Sequence, residues 1–274
     1  MNMLKSLRYS TMTMSVLLSL QPINVAVITE ITSLEEVVTH LREKQDDAAA
    51  KPLCLLDVDF TVTRPADPAT NPESIKSHRR LLVEMAKNAG LAVEEVMFAT
   101  ALTEQQLMEP NAKEILDRLK GLATVIGLTA RYAGKIAGVD MIDLTVDRLA
   151  GFDVSFEGSS ERVIFEALPE HRGSKPAMQN GIIFCNGEKD VPVTKAQVLA
   201  EYIAESRIPY TRIIFVDDTK NHLDGCEAFF ANVPGIEFHG FHYVRAVSQD
   251  QGKCPEEEFG TYVSRLISIL KQDL

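Results

Sequence analysis

Pro52-Leu53-Cys54-Leu55-Leu56-Asp57-Val58-Asp59-Phe60-Thr61 is the stretch that decides how this chain is read. An apolar run enters two aspartates spaced i, i+2. Burying a carboxylate is costly unless it is paired or binds a metal, so a buried strand that ends this way implies work for the acids. Residues i and i+2 of an extended chain project to the same side. Asp57 and Asp59 are therefore expected to face one ligand at the carboxyl end of a strand, where ligands bind in open α/β sheets. Taken alone, the pair also fits a plain polar turn.

Outward from this strand the same pattern recurs. Residues 123–128 form a second short apolar run, ending at Thr129. Residues 181–185 form a third. Residues 212–216 form a fourth, running into Asp217-Asp218, and residues 236–243 alternate as a fifth. Helical segments separate them. Ser33-Leu34-Glu35-Glu36 and Thr194-Lys195-Ala196-Gln197 are capping-box starts. Residues 73–119 read as mainly helical, broken at Gly90 and Pro110, and residues 225–231 and 256–270 as further helices. Residues 64–72, with three prolines, read as a loop. Residues 132–180 are expected to start as a helix and then become mixed, with Phe152-Asp153-Val154-Ser155-Phe156 alternating like a strand. Apolar strands alternating with helices imply an α/β fold, a parallel sheet flanked by helices on both faces.

A length of 274 residues suits one large domain, or one domain with an inserted cap. The net charge of −11 argues against a nucleic-acid binder working through a broad basic surface, while leaving room for a local basic pocket. No run of 18 or more apolar residues occurs, so no membrane span is expected. Residues 1–26 read as a signal peptide or a flexible extension: Lys5 and Arg8 precede the apolar Met12–Leu20 run, but the cleavage signal at Asn24-Val25-Ala26 is poor. The balance leans to export, periplasmic or secreted, over a cytoplasmic location. Cys54, Cys185, Cys226 and Cys254 lack metal-ligand spacing and read as structural.

Three strands thus end in chemically capable residues: Asp57/Asp59, Thr129 and Asp217/Asp218. Four carboxylates at one edge would repel unless a cation sat among them. Mg²⁺, with carboxylates, water and substrate phosphate as ligands, suits that need. Lys195 at a helix start could neutralise a carboxylate and a bound phosphate together. Thr129 offers a hydroxyl, although it would serve equally as a helix N-cap. Such a set suits phosphoryl transfer, with one carboxylate attacking phosphorus and another moving protons. Arg131 reads equally as a phosphate contact or a structural ion pair. His239 and His242, three apart in a strand, face opposite ways and make a poor metal pair. His78-Arg79-Arg80 reads as a solvated helix face.

The ordered set Asp57-Val58-Asp59-Phe60-Thr61, Thr129, Lys195 and Asp217-Asp218 resembles the haloacid dehalogenase (HAD) superfamily of phosphatases and phosphotransferases. Leu128-Thr129-Ala130-Arg131 and Gly240-Phe241-His242-Tyr243 further resemble a branch of HAD-like bacterial proteins that often carry N-terminal export signals. The resemblance spans residues 53–243, best at the motifs. It implies a HAD-type Rossmannoid core over residues 27–274, with a mainly helical insert at 62–122 and a mixed one at 132–180, either long enough to cap the site. It implies that Asp57 is nucleophile and Mg²⁺ ligand, and Asp59 general acid/base with its backbone carbonyl on the metal. Thr129 and Lys195 would bind phosphate. Asp217 and Asp218 would hold the metal, with Asp218 favoured as the direct ligand. Lys189 competes with Lys195 for the lysine role; Lys195 is preferred because it opens a clear helix. Many relatives carry glycine where Phe60 stands. The implied activity is Mg²⁺-dependent hydrolysis of a small phosphorylated substrate through an aspartyl phosphate. The alternatives are phosphotransfer or mutase chemistry, or a non-catalytic binding or host-interaction protein on the same fold.

Overall fold

The computed structural model describes residues 27–44, 52–187, 191–248 and 252–272. The expectations for residues 1–26 and for Lys189 lie outside the described residues. In chain order the strands are β1 (Val27–Ile31), β2 (Leu53–Leu56), β3 (Thr63–Pro65), β4 (Gln105–Leu107), β5 (Thr124–Thr129) and β6 (Lys135–Ile136). They continue with β7 (Val139–Asp140), β8 (Val163–Ile164), β9 (Ala177–Gln179), β10 (Ile182–Phe184), β11 (Arg212–Asp217) and β12 (Glu237–Tyr243). The helices are α1 (Glu35–Glu43), α2 (Pro72–Ser77), α3 (Arg79–Ala89), α4 (Val93–Phe98) and α5 (Ala112–Lys120). The rest are α6 (Met141–Gly151), α7 (Lys195–Ser206), α8 (Lys220–Phe230), α9 (Arg245–Ser248) and α10 (Glu256–Lys271).

Eight strands form one sheet in the order β1-β12-β11-β2-β5-β10-β9-β8. The first six pair in parallel, and β9 and β8 add an antiparallel edge. The interiors of the central strands are apolar because both their faces are covered. Alternation sorts them. Cys54 and Leu56 of β2, Val125 of β5 and Ile214 and Val216 of β11 pack in one core with Val37, Leu116 and Leu149 of α1, α5 and α6. Leu53, Leu55, Leu128, Ile213 and Phe215 face the other way, onto Leu199 of α7 and Phe230 of α8. At Gly127 a Cβ would lie 3.1 Å from Ile182 Cγ2, so a bare backbone is what lets β10 approach β5 this closely.

A third apolar cluster stands apart from the sheet. Leu82 and Ala86 of α3 and Val96 of α4 pack with Phe259, Tyr262, Val263 and Leu266 of α10. The helices that follow β2 and the last helix of the chain therefore form one unit. Gly90 ends α3 in the left-handed conformation, φ 75°, that glycine adopts without penalty.

Several local expectations are corrected. Residues 64–72 are not all loop, since Thr63–Pro65 pairs with Gln105–Leu107. The helix after Arg131 starts only at Met141, because a β6–β7 hairpin turns through Ala137 (φ 47°) and Gly138 (φ 69°). Asp140 then caps α6 by accepting from the Ile142 and Asp143 amides. The 152–156 segment forms no strand. Its alternation reflects Val154 and Phe156 being buried in the core. The main helix of the 220s starts at Lys220, ahead of Gly225. The cap of α1 falls at Leu34, one residue after Ser33, yet the Ser33 hydroxyl accepts the Glu35 amide at 3.2 Å and donates to Glu109, and Glu36 accepts from the Ser33 amide. Among the described residues no helix is long and apolar enough to cross a membrane.

Candidate active site

The parallel strands leave β2 in two directions, to β5 and β10 on one side and to β11 and β12 on the other. Reversal of strand order opens a crevice at the carboxyl ends, and ligands bind there. Asp57 follows β2, Thr129 ends β5 and Asp217 ends β11. The strand parity that sends Leu53 and Leu55 toward α7 carries on to Asp57. The parity that sends Ile213 and Phe215 the same way carries on to Asp217. Both carboxylates thus meet the first residue of α7. Lys195 Nζ donates to Asp57 Oδ1 and to Asp217 Oδ2, each at 2.8 Å, with all three side chains buried. The Thr194 capping box fixes that helix start, its hydroxyl accepting from the Gln197 amide.

Asp217 has further donors. The Thr219 amide lies 2.8 Å from Oδ1, and His222 Nδ1 lies 3.0 Å from Oδ2. Burial pushes the Asp217 carboxyl up, but Lys195 and His222 outweigh it and hold the group below the ordinary carboxylate range. Asp57 goes the other way. Burial holds it well above that range despite Lys195, and Asp217 and Asp59 add to the push. Burial opposes the charge on Lys195, yet the two carboxylates keep its ammonium well above an ordinary lysine. One ammonium shared by two carboxylates leaves the better-supported one, Asp217, as the firmer anion.

Asp218 completes a cluster: ligand oxygens of Asp57, Asp217 and Asp218 all lie within 4.8 Å of one another. Three hard oxygen donors around one lysine fit a divalent cation such as Mg²⁺. His242 Nε2 donates to the Asp218 carbonyl at 3.1 Å, steadying the loop that carries it.

The Asp59 carboxylate is not in that cluster. The strand ends at Leu56, and the chain turns back through residues 58–63, with the Val62 and Thr63 amides both on the Val58 carbonyl. Asp59 still faces the same cleft as Asp57, as the extended chain predicts, but its carboxylate does not join the acidic cluster. Its carboxylate is gripped by Arg131 instead, Nε to Oδ2 at 2.9 Å and Nη2 to Oδ1 at 2.8 Å. Arg131 Nη1 donates to Thr145 Oγ1 on α6 at 2.9 Å. Of the two readings of Arg131, the ion pair is the one formed. Thr129 is fully buried, and its hydroxyl accepts the Arg131 amide at 3.1 Å, so it fixes the start of the arginine's loop. Thr61 is fully buried too, its hydroxyl without a hydrogen-bond partner among the described residues.

Asp57, Asp59, Arg131 and Asp218 line a cleft of about 580 Å³. Its upper wall comes from both inserts: Met97 and Phe98 of α4 on one side, and Tyr132, Ile136 and Met141 on the other. Arg79 also lines it, and Arg79 and Arg80 are exposed as expected of a solvated face; only His78 departs from it, being buried and bonding the Cys254 carbonyl at 2.8 Å. The four cysteines are free and buried, and burial pushes the Cys54 and Cys185 thiols up to about 12, far from reactive thiolates. His222 and Thr145 are supporting residues that the sequence did not announce, and His242, read there as half of a poor metal pair, supports the Asp218 loop. Only His222, in the first turn of the helix after the acidic pair, carried a readable signal.

A family model described as "Protein of unknown function (DUF2608)" matches residues 30–264. No curated protein matches the chain.

Proposed function

We propose that this chain, which belongs to the DUF2608 family, is a Mg²⁺-dependent phosphomonoester hydrolase working through an aspartyl phosphate. The observation that carries the reading is the Lys195 bridge between Asp57 and Asp217, with Asp218 beside it, at the carboxyl ends of adjacent parallel strands. The strand order β12-β11-β2-β5-β10 and the ordered motifs support a HAD-type core, with the α2–α4 insert as its cap.

Asp57, Asp217 and Asp218 would hold Mg²⁺, which supplies charge neutralisation at the transferring phosphoryl group. Lys195 holds Asp57 Oδ1, which leaves Oδ2 to attack phosphorus; the bond to the leaving oxygen breaks as the new P–O bond forms. Asp59 delivers a proton to the departing alkoxide. It then takes a proton from the water that attacks the aspartyl phosphate, releasing inorganic phosphate and restoring Asp57. Arg131 holds both oxygens of the Asp59 carboxylate, the form that takes the proton from water, and one of these contacts opens when Asp59 carries the proton to the leaving alkoxide. Lys195 also lies within reach of phosphate bound over Asp57, where its charge opposes that of the transferring group.

The test is phosphate release from a broad phosphoester panel with Mg²⁺. The wild type is expected to turn over at least one monoester, and Asp57→Asn to lose on the order of 10⁴-fold or more in turnover while staying folded. Release that survives in Asp57→Asn sinks the aspartyl-phosphate route.

A further inference from the structure

The turn after the acidic pair contains a residue in an unfavourable place. Phe60 has φ 56°, in the left-handed region that glycine enters freely and a residue with a Cβ does not. The turn enforces it: the Phe60 amide donates to the Thr63 carbonyl at 2.6 Å, with the Val58 carbonyl closing the other side. A strained residue beside reactive groups points toward function. The Phe60 ring is half-buried, rests against the edge of the core and lines the cleft beside Asp59.

Under the reading above, Asp59 donates its proton to the leaving oxygen, so the space next to it receives the leaving group. That space is walled by Phe60, Met97, Phe98, Tyr132, Ile136 and Met141. Two polar residues of the upper wall are engaged, Thr100 donating to the Met97 carbonyl at 2.6 Å and Glu94 pairing with Arg172 at 3.0 Å, while Arg79 of α3 also lines the cleft. Apart from Arg79 and the paired Glu94, charge is concentrated at the floor, and the wall beside Asp59 is apolar and partly aromatic. A cleft of about 580 Å³ is large enough for a ring system as well as the phosphate.

We infer that the substrate is a phosphate monoester of a flat, apolar alcohol or phenol, and that Phe60 is the specificity-determining residue against which its leaving group packs. The inference rests on the phosphomonoesterase reading. A polyol phosphate would leave its hydroxyls facing carbon here, losing hydrogen bonds to water without replacement.

The experiment compares kcat/KM for benzyl phosphate and glycerol phosphate, whose leaving alcohols differ little in acidity, in wild type, Phe60→Gly and Phe60→Leu. Wild type is expected to favour benzyl phosphate by about tenfold or more, the scale set by burying a small apolar group. Phe60→Gly should lose about tenfold more on benzyl than on glycerol phosphate, with relief of the turn offsetting part of the packing that the ring makes with the core. Phe60→Leu, apolar but not flat, should fall between. Equal turnover of both esters by wild type, or equal loss on both in Phe60→Gly, overturns the inference and leaves the phosphatase reading standing. No release from either ester or from the broader panel overturns that reading, and the inference with it.

Discussion

Two buried cations reach the acidic crevice from opposite faces of the sheet, and they bind it differently. Lys195 comes from α7 and divides one ammonium between Asp57 and Asp217, carboxylates from two neighbouring strands. Arg131 comes from the end of β5, is braced by Thr145 on the α6 face, and commits its fork to Asp59 alone. A compact ammonium can sit between two acids, while a planar guanidinium matches one carboxylate in a fixed orientation. The lysine therefore gathers charge where an attack would begin, and the arginine aims the group that would move the proton.

The comparison breaks most readily at Lys195. Lys195→Met leaves Asp57 and Asp217 buried without their shared partner, and is expected to cost about 3–5 kcal/mol in urea unfolding. Adding Asp57→Asn should return part of that loss, because it removes one of the stranded charges. A loss under about 1 kcal/mol would mean the two faces are not wired differently. Arg131→Gln should cost less, about 1–3 kcal/mol, since the Asp59 side chain is 33% exposed and water can replace part of the contact. In turnover it should slow an alkyl phosphate by about 100-fold and an acyl phosphate, which leaves without a proton, far less. Equal slowing of both would remove the aiming role. Thr145→Val, which keeps the shape and removes the acceptor, is expected to cost about 1 kcal/mol and to reproduce the leaving-group bias weakly.

The smallest effect lies far from the crevice, on the α1/α6 face that also braces Arg131. Burial against His40 and Phe241 lowers His239 to about 4, with the His40 charge as a further cause. Between about pH 6.5 and 4 the unfolded chain takes up this proton and the folded chain does not, so stability falls as pH falls through that window. The ring is only half-buried, so the contribution is discounted to about 1 kcal/mol. His239→Gln should flatten that part of the stability profile, as read from urea midpoints at several pH values. An unchanged profile would refute the burial argument.

Sequence was most legible where both faces of the sheet are covered. The 53–56 and 213–216 runs are continuous in apolar residues, and their acidic ends followed directly. Lys195 was readable because a capping box announced its helix. Legibility stopped where the chain departs from regular geometry. Period-two alternation brings Asp57 and Asp59 to one cleft but cannot foresee that the strand ends at Leu56, so the separate partner of Asp59 was not legible. A turn through Ala137 at positive φ carries no residue signal, and α6 was therefore expected too early. The Arg131–Thr145 contact joins residues on two separate elements whose packing no spacing rule reveals.

The union of α10 with α3 and α4 has a consequence for how the molecule is built. The cap helices emerge early in synthesis, but the apolar surface they need as a partner is encoded near the other end of the chain. Their contacts close a very long loop, a slow step relative to local pairing. During translation the roof of the cleft must wait for α10, just as the β1 and β2 side of the sheet waits for β11 and β12 shortly before it. Hydrogen exchange should therefore show α3, α4 and α10 gaining and losing protection together, as one late cooperative unit.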